Sequence, residues 1–193
     1  MNWIPALQAF SKVLGLVPVT IILALTAMKD AFEDYRRHLA DKKINSQTTH
    51  VWSSEKNRCR KMPWEHIIVG DYIHVSIDET IPADLLLIRS SDPQGCVFVE
   101  TSNLDGESNL KLRSVMPKCR TLCDETGDFD PSPLNIKVYC NPPNKVLDFI
   151  QGYVQYGKDG EEDRITKDNI IIRGCKLRNT TFIEGIVLYT ALE

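Results

Sequence analysis

The stretch Pro82-Ala-Asp-Leu-Leu-Leu-Ile88 decides the fold class of this 193-residue chain. A proline can begin a β-strand but is not found within a central one, because its nitrogen cannot donate to the ladder. The four apolar residues that end this stretch form a continuous run, which predicts a strand buried on both faces. We therefore expect Leu86 to lie in a hydrophobic core.

Similar short runs recur along the rest of the chain after residue 44. They are rich in β-branched and aromatic residues, are separated by turn residues, and predict further strands. With Asp84–Ile88 they are His50–Trp52, Ile67–Ile77, Cys96–Glu100, Ile136–Cys140, Asn169–Gly174 and Phe182–Tyr189. No second helix of ordinary length is expected. Residues 45–190 are thus predicted to form one mainly β domain, a sandwich or a jelly-roll-like module.

The N-terminal segment has the composition of a membrane helix. Between Lys12 and Lys29 lie 16 uncharged residues. In a helix they extend about 24 Å, which is short of the roughly 30 Å of a bilayer core. The residues before Lys12 are also uncharged and include Trp3, which suits an interfacial position. We therefore predict a tilted membrane helix over residues 1–28, with a buried helix of a soluble protein as the alternative.

Residues 29–44 are predicted to continue this helix as a cytoplasmic stalk. Apolar side chains recur at spacings of four, three and four residues, which places them on one helical face: Met28, Phe32, Tyr35 and Leu39. Basic residues near the membrane end mark the cytoplasmic side: Arg36, Arg37, Lys42 and Lys43. The β domain is therefore expected to face the cytoplasm.

Charge and cysteine content exclude some functions. The net charge is −3 and the basic residues are interspersed with acidic ones, so no nucleic acid partner is expected. The six cysteines form no paired C-x-x-C motifs, which favours free thiols in a reducing compartment over a metal site. The even cysteine count and the sequon Asn179-Thr180-Thr181 leave a secreted disulfide protein as an alternative.

The stretch VETSNLDGESNLKLR, Val99–Arg113, presents an acidic residue, Glu107, beside an Asp105-Gly106 pair. Such pairs form tight turns because glycine tolerates positive φ and aspartate bonds its own backbone. Taken alone, the loop is explained by an ordinary surface turn.

Four stretches together resemble one family: residues 29–38, Glu79–Asp92, Glu100–Lys111 and Asn169–Thr180. They resemble the P-type ATPases, specifically the type-four branch, the phospholipid flippases, and within it the fifth class. In that family the actuator domain is a distorted jelly roll. The resemblance implies that the chain is a fragment that covers the second membrane helix and the actuator domain.

The resemblance also implies a role for the loop. The family's actuator loop carries a T-G-E or D-G-E signature, whose glutamate positions the water that hydrolyses an aspartyl phosphate. The matching catalytic residues are Asp105, Gly106, Glu107 and Ser108. Gly106 would permit the tight backbone, and Asp105 and Ser108 would bond local amides. The complete pump would use Mg²⁺ and ATP, and neither is expected to bind this chain.

The family's Asp-Lys-Thr-Gly phosphorylation motif has no good match. The nearest stretch is Asp124–Phe129, in which Glu125 stands where the lysine would be and would repel phosphate. The chain alone is therefore expected not to hydrolyse ATP. Its expected partners are a phospholipid membrane, the phosphorylation and nucleotide-binding domains of the complete pump, and a flippase accessory subunit. The alternative is a membrane-anchored, non-catalytic module that binds or regulates full-length flippases.

Overall fold

The structure, a computed structural model, describes residues 5–122, 130–131, 134–142, 152–157 and 160–190. The chain divides into two compact units, one up to Ser46 and one from Gln47 onward. The stretch Asp124–Phe129, considered above as a phosphorylation motif, lies outside the described residues.

The first unit is a single helix, α1, which runs over 41 residues from Pro5 to Asn45. The predicted long N-terminal helix is therefore confirmed. The membrane span predicted over residues 1–28 is not supported: within the described ranges, no helix is long and apolar enough to cross a bilayer. The uncharged run between Lys12 and Lys29 supplies only about 24 Å.

The second unit is built from antiparallel strands. In chain order they are β1 Thr48–Ser53, β2 Arg58–Pro63, β3 Tyr72–Ser76, β4 Asp84–Ser90, β5 Cys96–Glu100, β6 Leu110–Ser114, β7 Ile136–Cys140, β8 Gly152–Tyr156, β9 Glu161–Ile165, β10 Ile170–Ile171, β11 Lys176–Arg178 and β12 Phe182–Tyr189. Two short helices, α2 Ser102–Asp105 and α3 Pro117–Leu122, lie between strands. The mainly β prediction is confirmed.

The described strands form three sheets. The largest has six strands in the order β10-β4-β12-β3-β1-β2. Strands β11, β5 and β6 form a second sheet, and β7, β8 and β9 form a third. Every pairing is antiparallel. Burial of apolar side chains from these strands provides the core that fixes their positions.

Strand β4 lies inside the largest sheet, between β10 and β12. Leu86 is fully buried and pairs with Ile170 on one side and Ile186 on the other, which confirms its predicted core position. The ladder between β4 and β12 has an irregularity at Gly185, where an added Cβ would lie 2.8 Å from the carbonyl oxygen of Leu86. Only glycine allows this close approach.

One carboxylate is buried in the same sheet. Glu184 on β12 is 2% exposed. Its Oε2 accepts a hydrogen bond from Arg89 Nη1 at 3.1 Å, and its Oε1 lies 3.0 Å from His74 Nδ1. Two partners on the neighbouring strands therefore compensate for the lost hydration of this group.

The predicted strand boundaries are partly wrong. Only Tyr72–Ser76 of the predicted strand Ile67–Ile77 is extended in a ladder, because Gly70 has a φ of 93° and Asp71 Oδ2 accepts the Ile68 N–H. Of the predicted strand Asn169–Gly174, only Ile170–Ile171 is paired. Strands β2, β6, β8, β9 and β11 were not predicted. Charged side chains interrupt the apolar pattern of β2, β6, β9 and β11, whereas β8 carries no charged residue.

Candidate functional site

The candidate loop, residues 101–109, connects β5 to β6. These strands pair antiparallel from Cys96 opposite Ser114 to Glu100 opposite Leu110, so the loop closes the end of a regular ladder. Val97 and Val99 are fully buried and fix β5 in the core. The loop is thus held by a rigid pair of strands at both of its ends.

The loop begins with the single turn of helix α2. The N–H groups of Leu104 and Asp105 donate to the Thr101 carbonyl at 2.8 and 3.1 Å. Gly106 ends the turn in the left-handed conformation, with φ 75° and ψ 1°, and its N–H donates to Ser102 O at 3.2 Å. Glycine favours this conformation because it has no Cβ. The space beside Gly106 is open, since an added Cβ would meet no atom within 4 Å.

Asp105 is the centre of the turn. Its carboxylate accepts hydrogen bonds from the Thr101 hydroxyl at 2.9 Å and from the Glu107 N–H at 3.0 Å, and it forms an ion pair with Lys111. The hydrogen bond from Lys111, followed by that from the Glu107 amide, lowers the pKa of Asp105 to about 2. Asp105 is therefore ionised at neutral pH, and the expectation that it bonds a local amide is confirmed.

Glu107 extends from this turn into solvent. Its side chain is 59% exposed, and its Oε2 lies 3.2 Å from Lys111 Nζ. Lys111 contacts both Asp105 and Glu107, and the pKa of its ammonium is raised, first by the hydrogen bond to Asp105 and then by that to Glu107. The structure therefore brings two of the predicted residues together around one cation.

Ser108 does not contribute to the turn. Its side chain is exposed, and within the described part of the chain its hydroxyl makes no hydrogen bond. The expectation that Ser108 bonds a local amide is therefore wrong. The Asp105 carboxylate and the left-handed Gly106 account for the shape of the turn.

A second set of contacts ties the start of the loop to β11. The Ser102 hydroxyl donates to Glu100 Oε1 at 2.6 Å, and Arg178 Nε donates to Glu100 Oε2 at 2.7 Å. These two bonds, that from Ser102 first, lower the pKa of Glu100. Arg178 also pairs with Asp78. The carboxylate at the end of β5 is thus fixed by partners on both sides.

Helix α2 also contacts the turn before β11. Asn103 Nδ2 donates to Gly174 O at 3.3 Å. An added Cβ at Gly174 would lie 3.4 Å from a methyl carbon of Leu104. The loop therefore packs against a neighbouring turn as well as its own hairpin.

Three residues of the site were not predicted from the sequence: Lys111, Glu100 and Arg178. Lys111 follows Glu107 by four residues, but this spacing predicts a contact only on a helix, and here Glu107 lies in the loop and Lys111 on β6. No local signal links Glu100 to Arg178, because these residues are 78 positions apart and meet only through the β5–β11 pairing.

Within the described ranges, no group of three or more His, Cys, Asp and Glu residues could hold a metal ion. The five described cysteines, Cys59, Cys96, Cys119, Cys140 and Cys175, are free thiols. The chemical groups at the tip of the loop are the carboxylates of Asp105 and Glu107, the Lys111 ammonium and the backbone of a tight turn, and the Glu100 carboxylate and the Arg178 guanidinium lie at its start.

Comparison with known proteins assigns the family. The family model of the P-type ATPase actuator domain matches residues 43–183. The chain belongs to the P-type ATPase actuator-domain family. The predicted resemblance to P-type ATPases is confirmed, and the loop described above lies within the matched actuator domain.

Several phospholipid-transporting ATPases are similar to this actuator chain over all of its 193 residues. Phospholipid-transporting ATPase VD of Mus musculus is 38% identical and ATPase VA of Homo sapiens is 40% identical. Phospholipid-transporting ATPase 1 of Arabidopsis thaliana is 37% identical. The chain spans 13% of the length of the first two relatives and 16% of the third. The predicted likeness to the phospholipid-transporting branch is confirmed as well.

Proposed function

We propose that this chain is the actuator portion of an ATP-driven phospholipid translocase, in which Glu107 positions the water that hydrolyses an aspartyl phosphate on the phosphorylation domain. The observation that carries the proposal is the exposed Glu107 carboxylate, held at the tip of a hairpin by the ionised Asp105 turn. The family match and the names of the relatives support it.

The proposed reaction is an in-line displacement at phosphorus. The water oxygen attacks, and the bond between phosphorus and the aspartate oxygen breaks, which releases inorganic phosphate and a free carboxylate. Glu107 orients the water and accepts its proton. A general base typically contributes about 10²–10⁴-fold to such a step. The roles of Asp105 and Gly106 are to keep the turn tight, so that the carboxylate arrives in one geometry.

The exposure of Glu107 fits a partner that comes from another domain. The side chain is 59% exposed and contacts one cation within the described residues, so its outer side is open to a phosphorylated surface. ATP and Mg²⁺ would serve the phosphorylation and nucleotide-binding domains of the complete pump, where a metal neutralises phosphate charge. The described side chains of this chain offer no metal cluster, and Glu107 does not need one for its proposed role.

The proposal places the second unit on the cytoplasmic side of the pump's membrane, where it meets these domains and where an accessory subunit can bind. The basic residues Arg36, Arg37, Lys42 and Lys43 support this orientation. The exposed Asn179 lies in a sequon and provides the test, since only a lumenal domain is glycosylated. A glycosidase-sensitive mobility shift that Asn179→Gln abolishes would contradict the orientation and revive the secreted alternative.

Steady-state assays on the complete pump test the function of the loop. Glu107→Gln keeps the size of the side chain and removes its charge, so lipid-stimulated ATP hydrolysis should collapse while the phosphoenzyme accumulates. Glu55→Gln is the matched control, because Glu55 is an exposed glutamate on another turn. Normal hydrolysis by the Glu107→Gln pump would contradict the proposal and favour the non-catalytic interaction module.

The isolated chain offers a complementary test. It should not form a phosphoenzyme with ATP, because the described residues and the sequence lack the Asp-Lys-Thr-Gly motif. Incubation with radiolabelled ATP, followed by acid precipitation and hydroxylamine treatment, measures this. A hydroxylamine-sensitive label on the chain would show that it carries its own phosphorylation site, contrary to the proposal.

A further inference from the structure

We propose that Lys111 is a positioning residue that fixes the Glu107 carboxylate for the hydrolytic step. This inference rests on the proposed function of Glu107. Lys111 lies on β6, opposite the fully buried Val99 of β5 in the ladder. Its side chain is 33% exposed, and its ammonium is held beside the turn by its contacts with Asp105 and Glu107.

The contacts form a chain from the rigid sheet to Glu107. Asp105 is fixed by the Thr101 hydroxyl and by the Glu107 amide. Lys111 is held by its ion pair with Asp105 and reaches Glu107 Oε2 at 3.2 Å. Besides Glu107, the ammonium therefore has one fixed partner, the Asp105 carboxylate, which gives it a defined position.

Only one oxygen of Glu107 is used in this contact. Within the described ranges, Oε1 has no hydrogen-bond or ion-pair partner. The carboxylate is thereby held through Oε2 and leaves Oε1 free to accept a hydrogen bond from a water molecule. This division of roles is what a water-positioning carboxylate requires.

Electrostatics support the same role. Asp105 and Glu107 carry like charges on one turn, and the Lys111 ammonium between them offsets their repulsion. The lowered pKa of Asp105 and the raised pKa of Lys111 are the signature of this arrangement. Arg178, a second cation close to the loop, is engaged by Glu100 and Asp78 and makes no ion pair with Glu107 in the described residues.

Single variants of the complete pump give the first test. In Lys111→Met, phosphoenzyme formation from ATP should be unchanged, while decay should slow by about 10- to 100-fold, as misplacement of a catalytic group does. Lys111→Arg should restore most of the decay rate because it keeps the charge. Lys61→Met, at an exposed lysine on β2, is the matched control and should behave as wild type. Wild-type decay in Lys111→Met would overturn the inference.

A double-mutant cycle separates positioning from a general structural effect. If Lys111 acts through Glu107, Lys111→Met should cause no further slowing in a Glu107→Gln background. An equal slowing in both backgrounds would overturn the inference. Lys111→Gln, which keeps a hydrogen-bond donor without the charge, is a second variant for the case in which the methionine variant misfolds, and it must also slow decay.

The same cycle distinguishes the two proposals. Wild-type decay in Glu107→Gln would refute the proposed function, and the inference on Lys111 with it. Slow decay in Glu107→Gln combined with wild-type decay in Lys111→Met would refute the inference alone. Slow decay in both single variants, without additivity, supports both proposals.

Discussion

Replacement of Leu86 by alanine tests the core that supports the loop. Leu86 is fully buried on β4, with hydrogen-bonded strands on both sides. The change removes three carbon groups, which at about 0.8 kcal/mol each contribute about 2.4 kcal/mol of transfer free energy. A cavity term adds to this value, because strands paired on both sides cannot collapse into the space. We expect a loss of about 3–5 kcal/mol in the free energy of unfolding.

Urea unfolding measures this loss. Tryptophan fluorescence in a Trp3→Phe background reports on the second unit through Trp52 and Trp64. Leu112→Ala removes the same atoms from a side chain that is 53% exposed and should cost less than about 0.5 kcal/mol. The reasoning would be refuted if the two variants had the same midpoint and slope, or if Leu86→Ala cost less than about 1 kcal/mol.

Three further measurements test separate parts of the structure. In the same urea assay, Gly185→Ala should lower the free energy of unfolding more than Gly106→Ala, because the new Cβ at position 185 would lie 2.8 Å from a backbone oxygen. Gly106→Ala has open space and costs only the left-handed strain of about 1–2 kcal/mol. Equal losses in the two variants would contradict this expectation. The Asp105 carboxyl should titrate near pH 2 in a ¹³C NMR experiment. Its contribution to stability is therefore complete above the unfolded pKa of 3.8 and is lost as the pH falls through about 2. A titration midpoint near 3.8 would refute its ion pair with Lys111. Arg89→Met should cost about 3 kcal/mol in urea unfolding, because Glu184 stays buried with a histidine as its remaining partner, and a change below about 1 kcal/mol would refute that role.

The strands that the sequence predicted are those whose burial leaves a local pattern. The continuous run of β4 and the apolar β12 were identified because both faces of these strands contact the core. The exposed and charged residues of β2 and β9 carry no such pattern. Their pairing depends on neighbours brought together by the fold, which a local reading does not contain.

For the candidate site too, the local turn was predictable from the sequence, and the contacts that depend on strand position were not. The Asp105-Gly106 turn and its amide hydrogen bond follow from local chemistry, and both are present. The contact of Lys111 depends on where β6 begins, which the sequence reading missed. The contact between Glu100 and Arg178 depends on sheet register and was not accessible from local sequence.

The central claim is that Glu107 positions the hydrolytic water, and the decay rate of the phosphoenzyme tests it most directly. The complete pump is phosphorylated with radiolabelled ATP and chased with unlabelled ATP, in the wild type, in Glu107→Gln and in the Glu55→Gln control. We expect the phosphoenzyme of Glu107→Gln to decay about 10²–10⁴-fold more slowly than the wild type, which corresponds to roughly 3–5 kcal/mol of barrier. The control should decay at the wild-type rate, and a wild-type decay rate in Glu107→Gln would contradict the claim.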